Sequence, residues 1–508
     1  MSNGNTALSD DSNSSRKLAR EGAASFLGAA TSAIMGFALT VVLARVLGDA
    51  GSGVVLQAVA VFTIVLSIAR AGMDSVAVWI MPRLGANNPS RIRGTLAMML
   101  LVTAVSGIVC GIATVALAPS FALTGDRYAT DVARAVAAAG WFLPVGALAL
   151  VALAATRGLG GIIPYVSVGS IGLPTIRPIA VWVVAASGGS LVAVTVAWAA
   201  PLVAALVAAL IVLHFQVNRH ERMASVRGAW RVDPLLRKSV LTYALPRTLS
   251  AGLEQSIIWL GIIIVGVLAG SASAGIYGGA SRFIAAGLIV DTALRMVVST
   301  RFSALLHAKK IGEVEGLYQT AAIWLVLFST PVYLVLAIFA PVVLRLLGPE
   351  FDEGSGALVI LCVGAILTFT AGNIHSVLLM SGRSGWAAFN KAVVLVVNVV
   401  GTLLLVPLIG INGAAISWAL SMLIDAVLAA IEVRRFIGIR IWAPTIAYAL
   451  LVPIAAFGVP ALLLRSAMGD TILALVLTIL IGAIFFIAWC ALDRKRLHLQ
   501  DLARLTRR

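Results

Sequence analysis

The stretch Arg237–Phe283 decides the fold class; it reads RKSVLTYALPRTLSAGLEQSIIWLGIIIVGVLAGSASAGIYGGASRF. Two cations precede an apolar run long enough to cross a bilayer, and a turn of small residues, 270–275, leads into a second such run. The same order occurs near the N-terminus, where Arg16-Lys17 precede an apolar run to Leu47 and a small-residue turn reaches Gly53. The matching points are offset by about 221 to 222 residues, so the second half is predicted to be a diverged copy of the first.

The composition predicts a polytopic membrane protein. The chain has 508 residues, of which 60% are hydrophobic and only 11% charged, and its mean hydropathy is +1.03. A soluble protein of this length needs far more polar surface. The expected fold is therefore all-α.

Spans of about 20 apolar residues divide the chain into about fourteen predicted transmembrane helices. They lie near 23–44, 54–80, 95–118, 135–155, 163–186, 190–213, 240–267, 274–300, 317–343, 356–380, 386–407, 411–433, 441–464 and 470–491.

The cations then predict the topology. With the N-terminus in the cytoplasm, the outside loops carry only Arg45, Arg127, Arg134, Arg345 and Arg465, and the remaining loop cations face the cytoplasm. Both termini are then cytoplasmic. The net charge of +16 thus reflects topology, and no nucleic-acid partner is expected.

Six regions follow from this division. They are a disordered cytoplasmic N-terminus 1–22, an N-lobe 23–213 of helices 1–6, a cytoplasmic linker 214–239, a C-lobe 240–433 of helices 7–12, helices 13–14 in 434–491 and a basic cytoplasmic tail 492–508. Both lobes start inside, so the repeat is parallel, with its axis along the membrane normal. The last two helices have no counterpart in it.

No catalytic group, metal site or ATP site is expected. The cysteines Cys110, Cys362 and Cys490 lie in apolar runs and are interpreted as buried apolar side chains. The Gly-rich segments 158–161 and 270–275 do not form a Walker loop. Coupling to Na⁺ or H⁺ stays open.

Several motifs together resemble the polysaccharide or oligosaccharide flippases (Wzx type) of the MOP superfamily, which also includes MATE exporters and lipid II flippases. The segments that carry the resemblance are Ala44-Arg45-Val46-Leu47-Gly48, Tyr243-Ala244-Leu245-Pro246, Ala274-Gly275-Ile276-Tyr277, Leu346-Leu347-Gly348-Pro349-Glu350-Phe351, Met380-Ser381-Gly382-Arg383 and, most family-like, 398–420. The resemblance implies two six-helix lobes around a central cavity, plus two further helices. Many relatives have an Asp in the middle of the seventh helix, whereas this chain has Glu254 before Trp259. Glu254 is therefore a candidate for ion coupling or gating, although the role of that Asp does not transfer to it directly.

The predicted helix 7 has a polar face. Tyr243, Arg247, Ser250 and Glu254 follow at offsets of four, three and four, which places them on one side of the helix. The functional interpretation is a hydrated cavity in which Arg meets a pyrophosphate or an acidic sugar. The alternative is a structural network of interhelical hydrogen bonds.

Other ionisable residues lie inside predicted spans, where they should face a cavity or a partner. Arg70 with Asp74, and Asp291 with Arg295, have the i, i+4 spacing of local ion pairs at corresponding places in the two halves. The pairs are candidates for substrate binding at Arg70 and for ion coupling or gating at Asp74 and Asp291, with simple local neutralisation as the alternative.

Three further residues complete the candidates. Arg282 has no acidic residue at i±3 or i±4 and is a substrate candidate. Arg177, between Pro174 and Pro178, could bind substrate or the carbonyls freed by a proline kink. Asp425 could be a site of ion coupling, or could bond to a neighbouring helix.

The predicted function is translocation of a lipid-linked (polyprenyl-pyrophosphate) oligosaccharide across a bacterial plasma membrane by alternating access, for export of cell-surface polysaccharide. Its partners would be that lipid, membrane lipids and polysaccharide polymerase or assembly proteins. The alternative is a MATE-type exporter of organic cations driven by Na⁺ or H⁺, for which acids should dominate the cavity. An enzyme is disfavoured because the loops are short and the five His residues are scattered.

Overall fold

The computed structural model describes residues 4–226, 228–230, 232–441 and 443–500, and only the backbone of 4–19, 21, 286, 289, 293 and 296. Within these ranges the chain forms helices and the turns that join them, without a strand. The predicted all-α class is confirmed. The chain divides into two units, one drawn from the described parts of Met1–Leu47 and Val54–Trp259, the other from Gly48–Gly53 and Leu260–Arg508.

The first unit contains most of the helices of the N-terminal half. They are α1 (Gly4–Ala69), α2 (Met73–Asn87), α3 (Ile92–Leu117), α4 (Ala129–Gly140), α5 (Leu143–Gly160), α6 (Ile163–Tyr165), α7 (Leu173–Ala186), α8 (Leu191–Ala199), α9 (Pro201–Met223) and the beginning of α10 (Pro234–His307).

The second unit takes the rest of α10 and the helices after it. They are α11 (Ile311–Ile338), α12 (Ala340–Arg345), α13 (Ser355–Phe369), α14 (Ile374–Met380), α15 (Ser384–Ile409), α16 (Ile411–Phe436), α17 (Pro444–Pro453), α18 (Val459–Met468) and α19 (Ile472–Leu492).

Both long helices, α1 and α10, are broken by a glycine. Gly48 has φ 70° and ψ −171°, and Gly270 has φ 87° and ψ 168°, a backbone conformation that favours glycine because it has no Cβ. Twelve described helical segments are long and apolar enough to cross a membrane, and two of them contain these breaks. The chain is therefore a multi-pass membrane protein, and the count of fourteen spans stays a prediction.

The span predicted as continuous over 54–80 is interrupted at residues 70–72, which form a turn between α1 and α2. Ala71 and Gly72 have φ 48° and 66°, outside helical values. Gly72 also allows a close approach, because a Cβ there would lie 2.3 Å from the carbonyl oxygen of Ala244 in α10. The prediction of one span over 54–80 missed this break, although Arg70, Gly72 and Asp74 interrupt the apolar run there.

Helix α1 begins at Gly4, within the predicted N-terminal region 1–22, and the disorder of that region stays a prediction. Extending an existing helix needs no new nucleus, so a polar leader can continue the register of the membrane helix that follows. Residues 1–3 lie outside the described ranges.

The region 214–239 is only partly a linker. Helix α9 continues to Met223, and α10 begins at Pro234. The short connection is held to the first unit by a hydrogen bond from the Ala229 N–H to the Ser90 carbonyl and an ion pair between Arg91 and Asp233 at 3.3 Å.

The predicted tail 492–508 begins with a packed segment. Leu497 is fully buried in the second unit, in a cluster with Trp324 and Ile446, and its carbonyl accepts a hydrogen bond from Trp324 Nε1 at 3.2 Å. Residues 501–508, with several of the tail's cations, lie outside the described part of the chain.

Candidate functional site: a basic cavity in the first unit

A cavity of about 370 Å³ lies inside the first unit. Its lining residues are Arg70, Asp74, Ser75, Val78, Leu150, Ala154, Arg157, Tyr165, Tyr243 and Arg247. The turn at 70–72 and the close approach at Gly72 explain the assembly, because they bring the start of α2 against the segment of α10 that carries Tyr243 and Arg247.

Arg70 and Asp74 form the predicted local ion pair. Arg70 Nη1 donates to Asp74 Oδ2 at 2.6 Å, and the two side chains are 20% and 26% exposed. Arg70 Nε, however, is buried and lacks a hydrogen-bond partner within the described structure. A buried donor of this kind is uncommon and calls for an acceptor such as a ligand or water.

The other two arginines leave the cavity positively charged. Arg157 lies at the end of α5 with its guanidinium 5.6 Å from the ring centre of Tyr165. Arg247 lies 5.5 Å from the ring centre of Tyr243. In the described part of the chain neither has an acidic partner within salt-bridge distance, so Asp74 offsets only Arg70. Such a site attracts anions, and guanidinium groups bind phosphate oxygens in a bidentate manner.

An aromatic pair holds Tyr243 in place. Its ring stacks on Trp79 with centres 4.7 Å apart and planes 9° from parallel. Arg83 lies 4.8 Å from the centre of the Trp79 ring. The order Arg83, Trp79, Tyr243, Arg247 thus joins α2 to α10 by stacking and cation–π contacts.

The rest of the predicted polar face of helix 7 does not line this cavity. Ser250 donates to the Pro246 carbonyl of its own helix at 3.0 Å. Glu254 is exposed and absent from the lining of this cavity. The polar face therefore has two parts. Tyr243 and Arg247 line the cavity, whereas Ser250 and Glu254 do not.

Arg177 bonds to protein rather than lining this cavity. Its Nε donates to the carbonyl of Trp198 at 3.2 Å, and its guanidinium stacks 4.3 Å from the centre of the Trp198 ring. The contact joins α7 to α8 close to Pro201, which begins α9. The acceptor lies on the neighbouring helix α8, whereas the sequence alternative predicts carbonyls freed by a proline kink of the arginine's own helix.

Arg282 and Asp291 belong to the second unit. Arg282 is half-buried in α10 and makes at least one polar, ring or electrostatic contact. Asp291 forms the predicted ion pair with Arg295 on the same helix.

Asp425 lies in a buried polar cluster of the second unit. Its Oδ2 accepts from Lys391 Nζ at 2.8 Å and lies 3.1 Å from His375 Nε2. Two turns further along α16, Glu432 accepts from Asn390 Nδ2 at 2.9 Å. Asp425 thus bonds to neighbouring helices, as one of the two sequence alternatives states, and its role in coupling stays a prediction.

Sequence reasoning missed several of these partners. Arg157 falls in a predicted cytoplasmic loop, where its charge is explained by topology, and Trp79 and Tyr165 fall within predicted apolar spans. One signal could have found Trp79, because Trp79 and Arg83 are spaced i, i+4 like Tyr243 and Arg247. No local signal connects Lys391 or His375 with Asp425.

Solved structures of transporters share this fold. The chain aligns with the inward closed conformation of the lipid II flippase MurJ at a TM-score of 0.73, over 93% of this chain and 98% of that one, with 12% identity. An inward-facing multidrug resistance MATE family transporter of the MOP superfamily aligns at 0.66, over 80% of this chain and 94% of that one, with 15% identity. The predicted resemblance is confirmed at the level of the fold: the chain has the architecture of MOP-superfamily membrane transporters.

A curated relative is similar over part of the sequence. The probable low-salt glycan biosynthesis flippase Agl15 of Haloferax volcanii is 24% identical over 183 residues, which are 36% of this chain and 39% of that protein. The match thus covers well under two thirds of the relative. No protein-family model matches the chain. The proteins that this chain resembles are flippases and transporters.

Proposed function

We propose that the protein moves a lipid-linked oligosaccharide, carried on a polyprenyl pyrophosphate, from one leaflet of the membrane to the other by alternating access. The observation that carries the proposal is the basic cavity, in which Arg157 and Arg247 lack acidic partners within the described structure and Arg70 has a buried, unpaired Nε. A doubly charged pyrophosphate would be neutralised by two such arginines. The partial similarity to a glycan biosynthesis flippase supports the same class of substrate.

The role of the cavity would be to replace the hydration of the pyrophosphate while the sugar crosses. Arg157 and Arg247 would bind the phosphate oxygens, and Arg70 would add its Nε while Asp74 holds its other nitrogen. Tyr165 and Tyr243 would form part of the wall of the site and would offer hydroxyls and ring faces to the sugar. Export of cell-surface polysaccharide would be the use of this step, and polymerase or assembly proteins would be its partners.

The test is leaflet-to-leaflet movement of a fluorescent polyprenyl-pyrophosphate sugar in reconstituted vesicles. Arg247→Ala and Arg157→Ala should each slow transport about tenfold or more, since hydrogen bonds to charged groups contribute about 1.5–3 kcal/mol. Arg219→Ala is the matched control, because Arg219 is an exposed cation of the same unit outside the cavity lining. Equal slowing by all three variants, or no movement of the lipid by the wild type, would refute the proposal.

The same vesicles distinguish the alternative exporter. A MATE-type carrier of organic cations should extrude a cationic dye under an Na⁺ or H⁺ gradient and ignore the lipid. Glu254 and Asp425 would then be the residues to substitute. The excess of arginine in the cavity favours the anionic substrate, because a desolvated cation would be repelled there.

A further inference from the structure

A second basic cavity, of about 620 Å³, lies in the second unit. Its lining residues are Ser303, Leu306, His307, Lys309, Ile311, Met380, Ser381, Gly382, Arg383, Phe436 and Ile437. They come from the ends of α10 and α14, the start of α11, the turn before α15 and the end of α16. The distribution of cations predicts that this end faces the cytoplasm.

The lining of this cavity contains basic residues and no acidic residue. Lys309 and Arg383 contribute charge, and His307 adds a third basic side chain. The acids nearest in sequence are occupied elsewhere: Glu313 pairs with Lys310 at 2.8 Å, and Glu315 accepts from the Arg440 backbone N–H at 3.0 Å. Among the described residues no salt bridge reaches Lys309 or Arg383, so the cavity keeps a positive potential.

Arg383 is fixed in orientation by an aromatic face. Its guanidinium lies 4.2 Å from the centre of the Phe436 ring, and Trp386 packs on the same ring with centres 5.4 Å apart. This cation–π contact occupies the face of the ring, and the N–H groups of the guanidinium remain able to donate to an oxyanion. The side chain therefore needs little ordering when an anion binds.

Helix ends of both polarities meet at this cavity, namely the C-termini of α10, α14 and α16 and the N-termini of α11 and α15. The carbonyls at the ends of α10 and α16 already accept bonds from the N–H groups of Lys310 and Gly438. By contrast, α11 and α15 begin beside the cavity with no side-chain hydrogen bond capping their first turns. The partial charges of the N-termini and the C-termini have opposite signs, so the positive potential of the cavity comes from the side chains of Lys309 and Arg383.

The remaining lining is apolar, with Leu306, Ile311, Met380, Phe436 and Ile437. A free, fully hydrated phosphate gains nothing from such a surface, whereas the glycerol and upper acyl chain of a lipid would bury apolar area against it. We propose that this cavity binds the phosphate headgroup of an anionic phospholipid of the cytoplasmic leaflet. The site is separate from the substrate cavity of the first unit and does not depend on which substrate that cavity takes.

The test measures lipid binding to the delipidated full-length protein in detergent by native mass spectrometry. Phosphatidylglycerol is the probe, with phosphatidylcholine as the zwitterionic control and glycerol phosphate as the soluble source of the same chemistry. The cavity variant is Lys309→Asn with Arg383→Gln, in which Asn tolerates the φ of 56° at position 309. The matched control is Arg434→Ala with Arg435→Ala, which removes two exposed cations at the end of α16 outside the cavity lining.

The cavity variant should weaken phosphatidylglycerol binding about tenfold or more, because two cations are lost, and the control less than about threefold. Phosphatidylcholine binding should be equal in all proteins. An equal loss in both double variants would assign the effect to diffuse surface charge and overturn the proposal. Glycerol phosphate binding as tightly as the lipid would overturn the lipid assignment. If the double variant does not fold, Lys309→Asn alone replaces it, with an expected loss of about fivefold.

Discussion

Gly53 and Gly275 each lie against the backbone of the turn that contains the other. A Cβ at Gly53 would lie 1.8 Å from the Ser271 carbonyl oxygen, and a Cβ at Gly275 would lie 2.0 Å from the Asp49 carbonyl oxygen. In the sequence, Gly53 precedes Gly275 by the same spacing as Asp49 precedes Ser271. The two contacts are therefore reciprocal, and all four residues belong to the second unit.

This contact predicts that neither glycine tolerates a side chain. Gly53→Ala and Gly275→Ala should each lower the free energy of unfolding by about 1–3 kcal/mol, because the added carbon overlaps backbone that cannot rotate away. Thermal unfolding in detergent measures the effect. Gly36→Ala is the control, since a Cβ there meets nothing within 4 Å. Equal melting temperatures for all three variants would contradict the packing.

The features of the fold that could be predicted from the sequence are those set by residues close together in the chain. The membrane helices, the turns near Gly48 and Gly270 and the pair Arg70–Asp74 depend on hydrophobic runs, glycine and i, i+4 spacing, all of which are visible in sequence. The break at 70–72 and the joining of Arg157 with Arg247 depend on the approach of α10 to Gly72. Contacts between residues far apart in sequence are set by packing, and neither the hydropathy nor the residue spacing of one sequence indicates them.

The stacked pair Trp79–Tyr243 predicts a positioning role for Trp79, which does not line the cavity itself. Trp79→Ala should slow transport of the pyrophosphate-linked probe about two- to tenfold, because aromatic pairs contribute about 0.5–1.5 kcal/mol. Trp79→Phe keeps a stacking ring and should restore most of the rate. A purely structural role would lower the melting temperature without this rescue.

The control for that experiment is Trp141→Ala in the same unit, whose side chain is 66% exposed. It should leave transport unchanged. A loss as large as that of Trp79→Ala would show that removal of any tryptophan from the unit is harmful and would remove the argument for stacking.

The ion pair between Lys391 and Asp425 predicts that the free energy of unfolding depends strongly on Lys391. Lys391→Met leaves the Asp425 carboxylate, 5% exposed, with His375 as its remaining ion-pair partner within the described structure. Leaving a buried charge without any partner typically costs about 3–5 kcal/mol, whereas replacing both charges by apolar residues is often neutral. Because His375 stays beside Asp425 and Lys391 is 33% exposed, the cost here should lie below that range. Lys391→Met should therefore unfold at lower temperature than the double variant Lys391→Met with Asp425→Leu.

The double variant also addresses coupling. If it transports the lipid probe at the wild-type rate with the same dependence on Na⁺ and pH, Asp425 serves to join helices. If its stability is normal and the ion dependence disappears, Asp425 is the coupling group.

The burial of Leu497 predicts that the segment after α19 stabilises the second unit. Leu497→Ala should cost about 2–5 kcal/mol, because it opens a cavity against Trp324 and Ile446. Leu492→Ala is the matched control, as the same side chain is 85% exposed at the end of α19. Thermal unfolding of the two variants in detergent measures the difference. A lower melting temperature for Leu492→Ala than for Leu497→Ala would mean that the segment after α19 does not pack as described. A lower melting temperature for Leu497→Ala would show that this segment is part of the folded second unit.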